Sequence, residues 1–200
     1  MTERPTHVDL REPALVFGAF LVASFLLPLL PNAALWQSTF GVAAVCGLAW
    51  SIARRKDSLA ALGIRIDNFL PAAGMFLLVT AILAAPLYWL DRDLEIDPRN
   101  LLEYFFWATF QQFLVVAAFW RNFRGRAFPA ALVFSLAHAP NLPLMALVLA
   151  AETVWLLLFN RFRNLFALAL VHAGAALVAG QALVPEWLSS LRVGLHYLER

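Results

Sequence analysis

Polar residues in this chain are gathered into short clusters, and the stretches between them are almost wholly apolar. Five stretches, near 14–31, 33–53, 69–90, 101–120 and 164–182, approach or reach the ~20 apolar residues that a helix needs to cross the hydrocarbon of a bilayer. Two more lie between Arg126 and Asn160. They cover 127–139 and 144–160, and Pro140, Asn141 and Pro143 separate them, because proline interrupts a helix. The first of the two is short. Beyond Pro185, the residues Trp187, Leu191, Val193, Leu195 and Leu198 are set among polar neighbours, the pattern of an amphipathic helix lying in the interface. The expected fold is therefore all-α: a polytopic membrane bundle of about seven transmembrane helices plus a C-terminal interfacial helix, in a single membrane domain over 1–200.

Composition agrees with this pattern. Hydrophobic residues make up 62% of the chain and charged residues 14%, against roughly 45–50% and about 25% in soluble domains. The one Lys and 14 Arg fall in short loops rather than along one face, which argues against nucleic acid as a partner. Their placement sets an orientation, since cytoplasmic loops retain basic residues. With the N-terminus inside, Arg54, Arg55, Lys56, Arg65, Arg121, Arg124, Arg126, Arg161 and Arg163 all fall on the cytoplasmic side, with Arg4 and Arg11. Only Arg92, Arg99, Arg192 and Arg200 then face outward. The first apolar stretch follows a mixed-charge segment and lacks an Ala-x-Ala cleavage signature, so it reads as a retained helix. Cys46 stands alone in an apolar stretch and reads as a packing residue; no disulfide framework or CxxC metal site is available.

Polar side chains inside spans are costly and mark functional candidates. They are Gln111 and Gln112 in the fourth span, His138 at the end of the fifth, Glu152 in the sixth and His172 in the seventh. At a rise of about 1.5 Å per residue, all reach a similar depth, roughly 12 to 15 Å from one or other helix end. Paired glutamines commonly join helices by hydrogen bonds. Two histidines at one depth on different spans suit acid–base work, oxyanion support or a metal. Zinc would want at least three protein ligands, and Glu152 is the only candidate third, so no cofactor is assigned.

Residues 54–182, and above all the stretch 101–182, resemble the CPBP intramembrane proteases, the family of the CAAX prenyl-protein processing protease. The family's Phe-x-x-x-His motif stands here as Phe134-Ser-Leu-Ala-His138, followed by Ala139-Pro140-Asn141. Its "Asn-Leu, apolar run, His" entry is similar to the segment from Asn164 to His172, and Leu62-Gly-Ile-Arg65 is similar to the loop of bacterial members. The resemblance implies an intramembrane endopeptidase in which His138 and His172 are catalytic, with Phe134 and Asn141 near the substrate. It also implies a membrane-anchored protein or peptide as substrate, and with the short loops it favours a bacterial inner membrane.

One motif departs from the family. Where Glu-Glu-x-x-x-Arg is expected, the chain has Gln111-Gln112-Phe-Leu-Val-Val116, and Ala176 replaces the family's Asn or Asp after the second histidine. An amide does not take a proton from water as a carboxylate does. Three readings remain: Glu152 supplies the carboxylate beside His138; Gln111 orients water while a histidine is the base; or the chain is a non-catalytic relative serving as scaffold, chaperone or immunity factor. A small transporter is disfavoured, since no inverted repeat is visible.

Overall fold

The computed structural model describes residues 10–88 and 97–182, together with Val193, Gly194 and Leu198. Among these there are seven α-helices and no strand. Helix α1 (Arg11–Leu21) carries Glu12 in its first turn, where a carboxylate complements the helix dipole. It loosens into a π-helical turn over Val22–Leu26 and then tightens over Leu27–Leu29, where Pro28 withholds a backbone donor. Helix α2 (Ala33–Arg55) begins and ends beside left-handed residues, Asn32 and Lys56, and places Arg54 and Arg55 at its negative end. Helix α3 is Phe69–Tyr88.

Helix α4 (Pro98–Leu114) starts with proline at its first position, and the Asp97 side chain accepts from the Arg99 N–H. It continues as a π-helical run, Val115–Trp120, in which all six side chains are buried. Helix α5 (Ala127–Leu136) has only 10 residues. The break predicted around Pro140 and Pro143 separates it from α6 (Leu142–Phe162), whose first free N–H groups are met by Asn141: its Oδ1 accepts from the Leu144 N–H at 3.2 Å. Helix α7 (Leu165–Ala182) is capped in the same way by Asn164, whose Oδ1 accepts from Ala167 N–H at 2.9 Å.

Four helical stretches, Arg11–Leu29, Ala33–Arg55, Pro98–Trp120 and Leu142–Phe162, are long and apolar enough to cross a membrane. The other three helices are apolar but shorter over their described lengths. Large apolar side chains cover the outside of the bundle, with Leu15 73%, Leu70 80%, Ile82 65% and Trp50 64% exposed. Soluble monomers rarely present such a surface, and it is consistent with a membrane protein. Cys46 is free and exposed on α2, so the expectation that it packs in the core is corrected. The expected interfacial helix lies outside the described residues, apart from Val193, Gly194 and Leu198.

Helix α7 sits at the centre, packed on α3 and α4, while α5 and α6 pair as a hairpin. The core is built from Phe76, Leu156, Phe159, Leu165, Leu168 and their neighbours. At one end of the bundle polar groups join the helices. Arg55 pairs with both Glu12 and Asp57, Arg121 pairs with Asp57, and Asn122 donates to Glu12 at 3.2 Å. On the same end Asn164 Nδ2 donates to the Arg65 carbonyl at 3.0 Å and to Asn68 Oδ1 at 2.9 Å. Gly63, at φ +78°, accepts through its carbonyl oxygen from the Leu165 N–H at 2.8 Å, and a Cβ there would strike the Phe159 ring at 2.6 Å. This ion-paired end gathers most of the basic residues assigned to the cytoplasmic side.

Candidate functional site

Three of the five polar residues singled out within spans, Gln112, Glu152 and His172, meet between α4, α6 and α7; His138 stands one aromatic ring away, and Gln111 faces a neighbouring cavity. Gln112 and Glu152 are fully buried, and His172 is 9% exposed. Gln112 Nε2 donates to Glu152 Oε2 at 2.8 Å and lies 2.8 Å from His172 Nδ1. As placed, that nitrogen carries two hydrogens and no lone pair for bonding, so both neighbours accept. His172 Nδ1 therefore holds a lone pair, and the ring's proton sits on Nε2. Gln112 thus bridges the carboxylate and the imidazole.

His138 has the opposite arrangement. Its Nδ1 lies 2.9 Å from the Phe134 carbonyl, one turn earlier on its own helix. A carbonyl only accepts, so Nδ1 carries the proton and Nε2 keeps the lone pair. The Phe134 ring stands edge-on to both histidines, with centroids 4.9 Å from His138 and 6.0 Å from His172. Phe134, expected near the substrate, is thus the spacer that fixes the two imidazoles. Trp155 supports His172 from the other side, its ring 5.6 Å away and tilted by 31°. The Trp155 N–H is itself held by Thr80 Oγ1 at 2.9 Å.

A cavity of about 680 Å³ opens beside this cluster, and Gln111, His138, His172, Phe134 and Trp155 line it. That is the size of a specific small-molecule site, typically about 300–1,000 Å³. Adjacent in sequence, the two glutamines point differently: Gln111 faces the cavity, whereas Gln112 and Glu152 stand behind His172 and do not line it. The Gln111 Oε1 atom is buried without a partner. Asn141 is fully buried and caps α6, so it acts on the fold that presents His138. Glu152 engages Gln112 and, through it, His172. Among the described residues, no three of His, Cys, Asp and Glu lie together as a metal site.

Two contributors escaped the sequence reading. Trp155 lies three residues after Glu152, hence on the same face of α6, and that spacing could have flagged it. Thr80 is a lone hydroxyl in an apolar helix and carried no signal of its own. Both histidines line one cavity, and each has a ring nitrogen besides the one bonded within the protein, a lone pair on His138 Nε2 and an N–H on His172 Nε2. Comparison of the chain with family models, with curated proteins and with solved structures finds no match.

Proposed function

We propose that this protein is an intramembrane hydrolase similar to the CPBP endopeptidases, cleaving an amide bond in a membrane-associated protein or peptide. The observation that carries the reading is the pair of histidines held in opposite tautomers beside one cavity. His138 Nε2 takes a proton from water, whose oxygen adds to the substrate carbonyl carbon. His172 Nε2–H donates to the developing oxyanion, a contribution that is large when the donor is already oriented. The C–N bond then breaks, His138 returns its proton to the leaving amine, and the products are a carboxylic acid and an amine. Glu152 and Gln112 are positioning residues that hold the His172 tautomer.

The seven-span arrangement we propose has the ion-paired end and the N-terminus in the cytoplasm, the orientation that puts most of the basic residues on that side. A bacterial inner membrane suits these short loops. The test uses the purified full chain in lipid nanodiscs with a library of membrane-anchored peptides. His138→Ala should reduce cleavage by about 10²–10⁴-fold, the usual contribution of a general base, at an unchanged melting temperature. Retained cleavage in that variant refutes the assignment.

One observation favours a second reading, a non-catalytic scaffold. Among the described residues no Asp or Glu lines the cavity, and the nearby carboxylate is engaged by Gln112. Failure of the wild type to cleave any member of the library, with the histidine variants merely less stable, supports that reading.

A further inference from the structure

The cavity is chemically two-sided. Heights can be counted from the ion-paired end at about 1.5 Å per residue. On that count Phe119 and Val115 lie about 3 and 9 Å above Arg121, and Val16 and Phe17 about 6 and 8 Å above Glu12. Gln111 lies about 15 Å up. Among the described residues, those lining the cavity below the histidines, Val16, Phe17, Leu114, Val115 and Phe119 included, carry no hydrogen-bonding side chain. Level with His138 and above it the walls change: Ser24, Thr80, Gln37 and Tyr104 line the cavity, at heights of about 18 to 27 Å. The lower lobe is roughly 10 Å deep and wholly apolar, the upper lobe is polar in part, and the histidines and Gln111 form a belt between them.

These walls discriminate between occupants. A polypeptide passing into the lower lobe would bring an N–H and a C=O with every residue. The lobe offers them no partner, and a polar group buried without one forfeits the hydrogen bond it made to water. Helical walls also keep their own backbone groups paired, so no strand edge is available for an extended peptide. A hydrocarbon chain brings no such groups. At roughly 1.2 Å per bond, the advance implied by 3.3–3.6 Å per three-bond residue, the lobe takes about eight bonds.

We propose that the cavity receives an N-acyl amide, with a medium-length acyl chain in the lower lobe, its amide at the histidine belt, and a hydrogen-bonding amine-side portion above. The unpartnered Gln111 Oε1 accepts the amide N–H. The chemistry rests on the hydrolase reading: water adds to the acyl carbon, the C–N bond breaks, and a fatty acid and a free amine result. Binding does not rest on it. Because the bilayer competing for the chain is itself apolar, transfer adds little, and length selection comes from fit. A short chain leaves a void, and a long one must fold or protrude.

The experiment is competition on the full chain in nanodiscs, wild type and His138→Ala, against an octanoyl glycinamide bearing a diazirine at the chain end. Competitors are butanoyl, octanoyl and tetradecanoyl glycinamides and an unacylated apolar peptide. The octanoyl compound should displace several-fold better than either neighbour, and the diazirine should label the Val16–Phe119 lobe. Val16→Phe and, as a second variant, Phe17→Trp should shift the preference to butanoyl. Gly41→Phe, whose side chain starts in open space on the upper wall, should weaken all three alike. Displacement indifferent to chain length, labelling around Trp107, or equal displacement by the peptide overturns the proposal. Chain-length selection without cleavage by the wild type sinks the hydrolase reading alone. Cleavage of unacylated peptides without acyl selection sinks the acyl site alone.

Discussion

The molecule has two polar regions, and they are built on opposite principles. At the ion-paired end, Glu12, Arg55, Asp57 and Arg121 meet as charges that keep some contact with solvent, their side chains between 12% and 27% exposed. In the middle of the bundle, Gln112 and Glu152 are fully buried and His172 nearly so, and each comes from a different helix. Charges in water-accessible surroundings attract weakly and tolerate loss of a partner. Hydrogen bonds in an apolar interior do not, because a group left unpaired has no water to turn to. The first region ties helix ends together, whereas the second fixes the orientation of one ring.

Breaking the central cluster should have the largest effect. Glu152→Ala removes the acceptor for Gln112 and leaves a void, and it should cost about 3 kcal/mol, from an orphaned donor at about 1–3 kcal/mol plus lost packing. Glu152→Gln keeps an oxygen there and should stay within about 1 kcal/mol. Thermal unfolding in nanodiscs measures both. Equal losses in the two variants would mean that volume, rather than the hydrogen bond, matters at this position.

The ion-paired end should respond less, and differently to salt. Burial and the nearby Arg55 guanidinium hold Arg121 below the ordinary arginine value, with Glu12 opposing them. Asp57→Asn removes the carboxylate standing between the two guanidinium groups and should cost about 1 kcal/mol. Added salt should recover part of that loss by screening the exposed repulsion, while leaving Glu152→Ala unchanged. A salt response shared by both variants would erase the distinction between the regions.

Helices were the most legible part of the sequence, since apolar runs, prolines and caps are local signals. The break at Pro140 to Pro143 fell where it was read, and Asn141 and Asn164 begin the helices on either side of the site. Local signals do not tell which way a side chain faces in a helix that is apolar all round. Hence the exposure of Cys46 and the bond from Gln112 to Glu152 were not legible in the sequence. The π-helical run after Gln112 turns the helix by an extra residue, a change of register that no apolar periodicity reveals. Depth along a span was readable from residue counts, and azimuth was not.

The smallest expected effect is also the sharpest test, because it separates two identical residues that are adjacent in the chain. Gln112 holds Glu152 and His172 through its Nε2, although its own Oε1 is, like that of Gln111, buried without a partner; Gln112→Leu therefore removes one orphan while leaving two acceptors without a donor, and should cost about 1–2 kcal/mol. Gln111 presents a buried oxygen with no partner, so Gln111→Leu removes an unsatisfied group and should leave stability unchanged or raise it by up to about 1 kcal/mol. Its effect should fall on turnover instead: losing one neutral hydrogen bond to substrate, about 0.5–1.5 kcal/mol, corresponds to a roughly two- to tenfold lower kcat/KM. Melting temperature and cleavage rate measured on the two variants decide the matter. If Gln111→Leu destabilises as strongly as Gln112→Leu, both glutamines join helices and the cavity loses its acceptor; if only turnover falls, the side chain facing the cavity serves the substrate and the one behind His172 serves the fold.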